Sequence, residues 1–461
     1  MKFCTCLAVL AAASSLLACG SGNAKFIQQP PPPPTTNQWT WIGGSNLANP
    51  TGNYGLQGVA SASNVPPPRG QSYTWVDSSG TFWLFGGSQV PTQSSDIYLS
   101  DLWKYSGGQW TWVGGPSTPN QPGVWGTQGV ADPANIPSPR QGGASWIDKS
   151  GNFWLFGGLG LNAIGMGELL NDLWEYSNGQ WTWVSGSNMG AGAGVYGTIG
   201  VPSVTNIPGS RQIEANWQDS NGNFWLFGGL GYDSAGTQDY LNDLWEYTGG
   251  QWVWISGSNV VDQPGSYGTQ GTASPSNVPG SRLESAGWAD SSGNFWLFGG
   301  ATGPDGQFHA FNDLWKFSSN QWTWVGGPNT TDQDGNYGTQ GIASSSNIPS
   351  SRVSPMIWLD RSGNLWLFGG DGHDSMGGLG VLNDLWKFDG TNWTWIGGAN
   401  VAGQPGTYGT MGTPAASNTP GARLGGAAWI DSSGNLWLFG GNGLDSAGKL
   451  GYLNDLWEYQ P

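Results

Sequence analysis

The sequence contains few thiols and few charges. Its three cysteines, Cys4, Cys6 and Cys19, all lie within the first twenty of 461 residues, so the rest of the chain can form neither a disulfide nor a thiolate metal site. Only 14 Lys and Arg stand against 30 Asp and Glu, and the formal net charge is −16. No cluster of basic residues occurs, although phosphate binding depends on such clusters. We therefore expect no nucleic-acid partner.

The low charge does not indicate disorder, because the chain is rich in aromatic residues. Disordered chains combine high charge with few aromatics, whereas this chain has 31 Trp and 80 Gly. The composition predicts an all-β fold with many turns and a large aromatic core. The excess of acidic residues is typical of a protein that must remain soluble.

The N-terminus is typical of an exported, lipid-anchored protein. A basic Lys2 precedes an apolar stretch over residues 3–18, which is too short for a comfortable membrane span. Residues 16–20 read Leu-Leu-Ala-Cys-Gly and resemble a bacterial lipobox, in which cleavage precedes a cysteine that carries a diacylglyceryl group. We predict a signal peptide over residues 1–18, a lipid on Cys19 and a proline-rich tether over residues 19–37. The lipid is then the only contact with the bacterial outer membrane or cell surface.

One pattern repeats six times over residues 38–461. Phe-Gly-Gly, Asp-Leu-Trp and Trp-X-Trp each recur at intervals of about 71 residues, and an arginine opens each unit. Such periods are typical of solenoids and propellers. The opening arginines are Arg69, Arg140, Arg211, Arg282, Arg352 and Arg423.

Each unit is predicted to form four strands. The first runs from the arginine to a Trp-X-Asp sequence, and the second is an unbroken apolar run, such as residues 82–85, which indicates burial on both faces. The third contains Asp-Leu-Trp, and the fourth contains the tryptophan pair. Four-stranded units repeated around a ring predict a six-bladed, all-β propeller with four antiparallel strands per blade.

The ring is predicted to close through its N-terminal strand. The last unit ends after its third strand, whereas the pair Trp39 and Trp41 precedes the first arginine without strands of its own. The N-terminal strand should therefore complete the C-terminal blade. Closure removes unpaired strand edges, and we expect a monomer.

The repeat resembles that of the kelch family. The marks are the Gly86-Gly87 doublet after an apolar strand and the aromatic pair Tyr105 and Trp112. The repeat is longer than the usual kelch unit of about 50 residues, mostly between the fourth strand and the next arginine. Galactose oxidase is a kelch-like enzyme whose copper-radical site needs a cysteine cross-linked to tyrosine. No cysteine follows Cys19, so the resemblance does not extend to that site, and we expect no metal and no cofactor.

The predicted ring has two different faces. The short turns between strands one and two and between strands three and four share one face, named here the short-turn face. The connections that follow Gly-Gly and those between blades share the other, the loop-rich face. Loops on a rigid scaffold often carry binding sites. Because the closing strand starts on the short-turn face, the loop-rich face is predicted to point away from the membrane.

Residues that recur in every unit are interpreted as structural. The tryptophans should pack blade against blade, the Tyr or Trp of the inter-blade connection should join them, and each opening arginine should pair with the Asp of Asp-Leu-Trp. Asp233, Asp374 and Asp445 stand in Gly-X-Asp-Ser turns. Calcium needs six to eight oxygens, so we interpret these residues as Asx turns.

Departures from the sixfold pattern are the candidate site residues. Glu214 and Glu284 replace small or neutral residues near the start of the innermost strands of units three and four, and His309 and His373 are the only histidines. Together with Asp371 they are predicted to form a binding site on one arc of the loop-rich face. Glu214 and Glu284 are also candidate catalytic residues, because two carboxylates can perform acid–base chemistry on a sugar. The alternative is that these departures are ordinary variation among surface residues.

These features favour a membrane-tethered, exported binding or scaffold module that recognises a glycan or a protein through its loop-rich face. One alternative is a carbohydrate-active enzyme of the mutarotase or epimerase type, without copper or thiol chemistry. The other is a structural protein of the cell envelope. No recognised catalytic motif is present, so catalysis is not the favoured interpretation.

Overall fold

The computed structural model describes residues 36–89, 97–303 and 305–461. In these residues the chain forms six small antiparallel sheets arranged as a six-bladed β-propeller, which confirms the predicted fold. Within the same ranges, no helix is long and apolar enough to cross a membrane. The predicted signal peptide, Cys19 and nearly all of the predicted tether lie outside the described residues.

The first three blades follow one another along the chain. From the axis outwards, the strands of blade one are Tyr73–Val76, Phe82–Gln89, Ile97–Ser106 and Gln109–Gly114. Those of blade two are Arg140–Gln141 with Ala144–Ile147, Phe153–Leu161, Gly167–Ser177 and Gln180–Ser185. Those of blade three are Arg211–Gln212 with Ala215–Gln218, Phe224–Tyr232, Gln238–Thr248 and Gln251–Ser256.

The last three blades have the same order. The strands of blade four are Ala286–Ala289, Phe295–Phe298, Leu314–Ser318 and Gln321–Gly326, with a small ladder between Ala301–Thr302 and His309–Ala310. Those of blade five are Arg352–Val353 with Met356–Leu359, Leu365–His373, Leu379–Phe388 and Trp393–Gly397. Those of blade six are Arg423–Leu424 with Ala427–Ile430, Leu436–Leu444, Leu450–Gln460 and Gln38–Gly43.

The N-terminal strand closes the ring as predicted. Gln38–Gly43 pairs antiparallel with Leu450–Gln460, and Trp39 lies opposite Tyr459. The Trp39 ring also contacts Phe368 of blade five, with centroids 5.4 Å apart. The first strand of the ring therefore packs against the last third of the chain.

The innermost strand is not continuous, contrary to the prediction that it runs unbroken from the arginine. It breaks two residues after each arginine, at a residue with φ between 47° and 64°. The amide N–H of each break residue donates to the carbonyl of its counterpart in the preceding blade at 2.5 to 3.0 Å. These six bonds form a closed ring around the axis, named here the collar. The collar residues are Gln71, Gly142, Ile213, Glu284, Ser354 and Gly425.

The long connections between blades cover strand edges. The connection into blade two runs along the outermost strand of that blade, where Gly129 N donates to Trp183 O at 2.8 Å and Asn135 Nδ2 donates to Trp181 O at 3.0 Å. Exposed edges would otherwise template aggregation. Much of the extra repeat length therefore covers the ring circumference, whereas the sequence had suggested that it elaborates the loop-rich face.

The tryptophans pack the blades against one another, as predicted. Trp75 stacks on Phe153 of the next blade at 5.2 Å, and its indole N–H donates to Trp146 O at 3.0 Å. All 31 tryptophans are buried or half-buried. None is left as an exposed platform.

Each opening arginine forms a buried bidentate ion pair with the Asp of Asp-Leu-Trp, which confirms that prediction. In blade one, Arg69 bonds both oxygens of Asp101 at 2.7 Å. Asp101 Oδ2 also accepts from Trp103 Nε1 and from the Tyr54 hydroxyl, both at 2.7 Å. Trp125 takes the place of this tyrosine in blade two. The loop Tyr/Trp series is therefore structural.

Deleting residues 38–43 should destabilise the whole ring. Truncation of a buried Trp to Ala alone costs about 3–5 kcal/mol, and the deletion also leaves the edge of blade six uncovered. We expect the free energy of unfolding, measured by chemical denaturation, to fall by more than about 4 kcal/mol. A chain that lacks residues 20–35 but keeps the strand is the control. Equal unfolding curves for both chains would show that the ring does not depend on its closing strand.

Candidate functional site

In the Gly-X-Asp-Ser turns, the aspartate carboxylate accepts hydrogen bonds from backbone amides of its own turn. Asp233 Oδ1 accepts from the amides of Ala235 and Thr237 at 2.8 and 2.9 Å, which is the predicted Asx turn. Asp374 and Asp445 make equivalent bonds. Among residues 36–89, 97–303 and 305–461, no three His, Cys, Asp or Glu side chains are grouped to hold a metal ion.

The axis of the ring is a channel that the collar divides. Below the collar, toward the short-turn face, alternate residues of the innermost strands point into the channel. The collar and the layer directly below it line a cavity of ≈ 170 Å³. That layer consists of Ser72, Gly143, Glu214, Ser285, Pro355 and Gly426.

A wider opening, named here the funnel, lies at the short-turn end of the channel. Its volume is ≈ 500 Å³, and its walls include Ile147, Leu359 and Ala428 together with the edges of repeat tryptophans. Asn216 lines both the funnel and the cavity above it. The two spaces are therefore consecutive parts of one channel.

Glu214 is buried in the wall of the cavity. It is 7% exposed, and neither carboxyl oxygen has a hydrogen-bond partner. Burial raises the pKa of this carboxyl to about 7, against a smaller opposing influence of backbone amides and Arg211. Arg211 cannot pair with it directly, because both of its terminal nitrogens bind Asp243.

Glu284 belongs to the collar itself and is half-buried. Burial raises the pKa of its carboxyl to about 7, although the Ser354 hydroxyl favours the ionised form, and the nearby Asp371 raises the pKa further. Gln71 Nε2 in turn donates to Ser354 Oγ at 2.9 Å. Side chains from blades one, four and five therefore meet across the collar.

The two histidines lie in hairpins of different blades. His309 lies between two carboxylates, with Nδ1 2.7 Å from Asp332 Oδ2 and Nε2 3.2 Å from Asp305 Oδ2. Hydrogen bonds to both carboxylates raise the pKa of this histidine. His373 Nδ1 lies 3.0 Å from Ser351 Oγ. Both rings therefore fasten a loop to its neighbour.

The predicted site residues do not form one cluster. Glu284 and Asp371 lie close enough for Asp371 to raise the pKa of Glu284, whereas Glu214 lies one layer below the collar and is not among the groups that shift it. Glu214 and Glu284 thus both line the cavity, whereas His309 and His373 lie in hairpins of the loop-rich face.

Sequence reasoning missed two features of the site. Asn216 and Gln218 follow Glu214 at alternate positions and, with it, form a polar stripe down the channel wall of blade three. No other blade carries a carboxylate or an amide at any of these three positions. A comparison of the channel-facing positions of the six units would have revealed this stripe. The second feature is Asp262, whose pKa is raised by burial and by the neighbouring Asp239, and no repeated motif marks it.

The loop-rich face combines exposed apolar side chains with acidic ones. The tips of the hairpins between strands two and three expose Met376 by 81%, Leu379 by 74% and Phe308 by 55%. Ile164, Met166 and Leu450 occupy similar tips. Within the described residues of these hairpins and of the inter-blade connections, Lys449 is the only Lys or Arg.

Comparisons with known proteins give structural likenesses only. No protein-family model and no curated protein matches the sequence. Similar solved structures include YjhT, with 13% identity, a TM-score of 0.49 and coverage of 85% of this chain and 95% of YjhT. Another is a fungal alcohol oxidase of the AA5 family in complex with copper, with 12% identity, a TM-score of 0.44 and coverage of 89% and 77%. At these values neither protein's activity carries over to this chain.

Replacing Glu214 by Gln should stabilise the ring at alkaline pH. Between the ordinary pKa of 4.5 and about 7, the folded protein holds a proton that the unfolded chain has lost, so stability falls as pH rises through this window. Glu214→Gln removes this penalty, which is roughly 3 kcal/mol above pH 7 at 1.36 kcal/mol per pKa unit.

The measurement is the free energy of unfolding from pH 4 to pH 8. The curve of Glu214→Gln should diverge from that of the unmodified chain above pH 5, while the half-exposed control Glu168→Gln should follow the unmodified chain. Parallel curves for Glu214→Gln and the unmodified chain would contradict the burial of an unpaired carboxylate.

Proposed function

We propose that the protein is an exported, lipid-anchored binding module whose loop-rich face binds a protein with basic and aliphatic side chains. The observation that carries this proposal is the composition of that face. Its hairpin tips expose Met, Leu, Ile and Phe side chains, and apolar side chains exposed together on one face are typical of interaction surfaces.

The acidic charge of the loop-rich face favours a basic partner. The described hairpins carry seven carboxylates against Lys449, and complementary charge steers association and disfavours like-charged partners. Methionine tips, such as Met166 and Met376, suit an aliphatic partner because the thioether side chain is flexible and polarisable. A basic protein surface with aliphatic side chains satisfies both properties.

A protein partner is favoured over a glycan. Glycan sites commonly offer an exposed aromatic face to the sugar, and every tryptophan of this chain is buried or half-buried in blade packing. Phe308 is the one large aromatic side chain that is more than half exposed on the described hairpins. The exposed apolar surface is instead mainly aliphatic.

A catalytic pair of carboxyls is the less favoured function. Glu214 and Glu284 line one cavity of ≈ 170 Å³, so one small molecule could contact both. The pKa of Glu284 responds to Ser354 and Asp371 rather than to Glu214, so the two carboxyls are not coupled as an acid and a base. Acid–base catalysis by two groups requires such complementary roles on one substrate.

Substituting two hairpin tips should weaken binding of a basic peptide. The probe is a fluorescent peptide of alternating Lys and Leu, and affinity is measured by anisotropy. Met376→Ser with Leu379→Ser should lower the affinity at least tenfold, because both apolar anchors are lost, and added salt should weaken the binding that remains.

The matched control is Leu56→Ser, which removes an equally exposed leucine from the ring circumference. It should leave the affinity unchanged. The proposal would be contradicted by equal binding of a Glu-Leu peptide, or by equal losses in the tip variant and the control.

A further inference from the structure

Blade three is the one blade that carries a carboxylate and carboxamides at the channel-facing positions below the collar. Its wall presents Glu214, Asn216 and Gln218 at successive channel-facing positions, about 6.5 Å apart along the strand. Asn216 has no hydrogen-bond partner among the described residues, whereas Gln218 Nε2 donates to Ile147 O at 2.5 Å. Two polar side chains of the stripe thus remain available to a ligand.

Glu214 lacks a strong partner within the protein: the backbone amides of residues 144 and 214 lower its pKa only in part, and neither oxygen accepts a hydrogen bond of normal geometry. A buried carboxylate without hydrogen bonds is costly, yet both of its oxygens lack partners at 7% exposure. A group that donates hydrogen bonds and carries positive charge would relieve the cost most fully, because charge-assisted bonds are the strongest.

No cation of the described chain pairs with Glu214, and the nearby Arg211 is bound to Asp243. The six opening arginines are 0 to 1% exposed, and each is paired with an aspartate. The side chains that line the cavity and the funnel include no Lys, Arg or His. A positive charge beside Glu214 must therefore come from a ligand, and the channel offers nothing to hold an anion.

The route to Glu214 is uncharged and mostly apolar, and it opens on the short-turn face. The funnel of ≈ 500 Å³ is lined by uncharged residues, among them Val76, Ile147, Leu359 and Ala428, and Asn216 connects it to the cavity. From the loop-rich side the collar narrows the channel. A ligand that enters by the funnel therefore meets apolar walls first and the carboxylate last.

An aspartate directly follows each innermost strand, and Lys149 and Arg361 are the only basic residues in these turns. The carboxylates are bonded within their own turns, as where Asp77 accepts from the amides of Ser79 and Thr81, and none lines the funnel. They contribute a net negative potential at this end of the ring, which favours cations over anions. The aspartates are Asp77, Asp148, Asp219, Asp290, Asp360 and Asp431.

We propose that the channel binds a small organic amine with an apolar body, which enters through the funnel and places its ammonium group on Glu214 and Asn216. The body then lies against the aliphatic wall of the funnel. This site is separate from the loop-rich face and does not depend on the proposed protein partner.

The test compares three probes with the same six-carbon chain: n-hexylamine, 1-hexanol and hexanoate. Isothermal titration calorimetry on the full chain at pH 8 should show binding of hexylamine, with hexanol and hexanoate at least tenfold weaker. Glu214→Gln should weaken hexylamine at least tenfold and remove its advantage over hexanol. Glu168→Gln, which changes a carboxylate in a hairpin of the loop-rich face outside the channel, is the matched control and should leave the affinity for hexylamine unchanged.

Acidification should also weaken hexylamine binding, because protonation of Glu214 removes the charge. Beside Glu214 lie Arg211 and Asp243, which are paired with each other, and Tyr73, whose hydroxyl donates to Gly157 O. Glu284 lines the same cavity, and burial raises its pKa to about 7 as well, so the pH series is measured in a Glu284→Gln background. In that background the affinity should fall from pH 8 to pH 5.5, and the fall should disappear when Glu214→Gln is added.

A second variant separates the site from folding defects. Ala428→Phe fills the funnel without touching Glu214 and should abolish binding while the thermal unfolding temperature is kept. The proposal would be overturned by absence of hexylamine binding, by equal affinity for hexanoate, or by binding that neither Glu214→Gln nor Ala428→Phe weakens.

Discussion

The buried ion pair between the opening arginine and the aspartate of Asp-Leu-Trp is the interaction on which the ring depends. In blade one it joins the start of the innermost strand, the third strand and the preceding connection, because Asp101 accepts from Arg69, Trp103 and Tyr54. The arginine also donates to the carbonyl of Gly86. A buried charge pair contributes to a fold only when its remaining donors and acceptors are satisfied, and here they are. Six copies of this arrangement orient six blades in the same way.

The same interaction limits what the ring can bind. Because all six arginines are engaged in it, the channel has no basic side chain, and its chemistry is set by the few positions where the units differ. Blade three contributes Glu214 and Asn216, and blade four contributes Glu284. The loop-rich face differs again, since its hairpin tips vary among the units and expose side chains such as Met376 and Phe308. Binding therefore depends on departures from symmetry, and the symmetric residues hold the scaffold.

The sequence predicts the ring better than it predicts the site. The blades, the closure by Trp39 and Trp41 and the Arg–Asp pairs could be read from the period, because each unit repeats the same contacts. The collar could not be predicted, because it requires positive φ at four residues that are not glycine: Gln71, Ile213, Glu284 and Ser354. Such residue types rarely adopt positive φ, so the sequence gives no sign of it. The edge-covering role of the long connections also escaped prediction, because it arises from packing against a neighbouring blade. Glu214 was identified as a departure from the repeat, but its burial without a partner follows only from the channel geometry.

The direct test of the central role of the ion pair is the free energy of unfolding of Asp384→Asn. This substitution keeps the shape of the side chain but leaves Arg352 as an uncompensated buried charge, since its terminal nitrogens bind Asp384 at 2.7 Å. We predict a loss of about 3–5 kcal/mol, as expected when one partner of a buried pair is removed. The exposed Asp334→Asn serves as the control and should change stability by less than about 0.5 kcal/mol. A loss in Asp384→Asn no larger than that of Asp334→Asn would contradict the account.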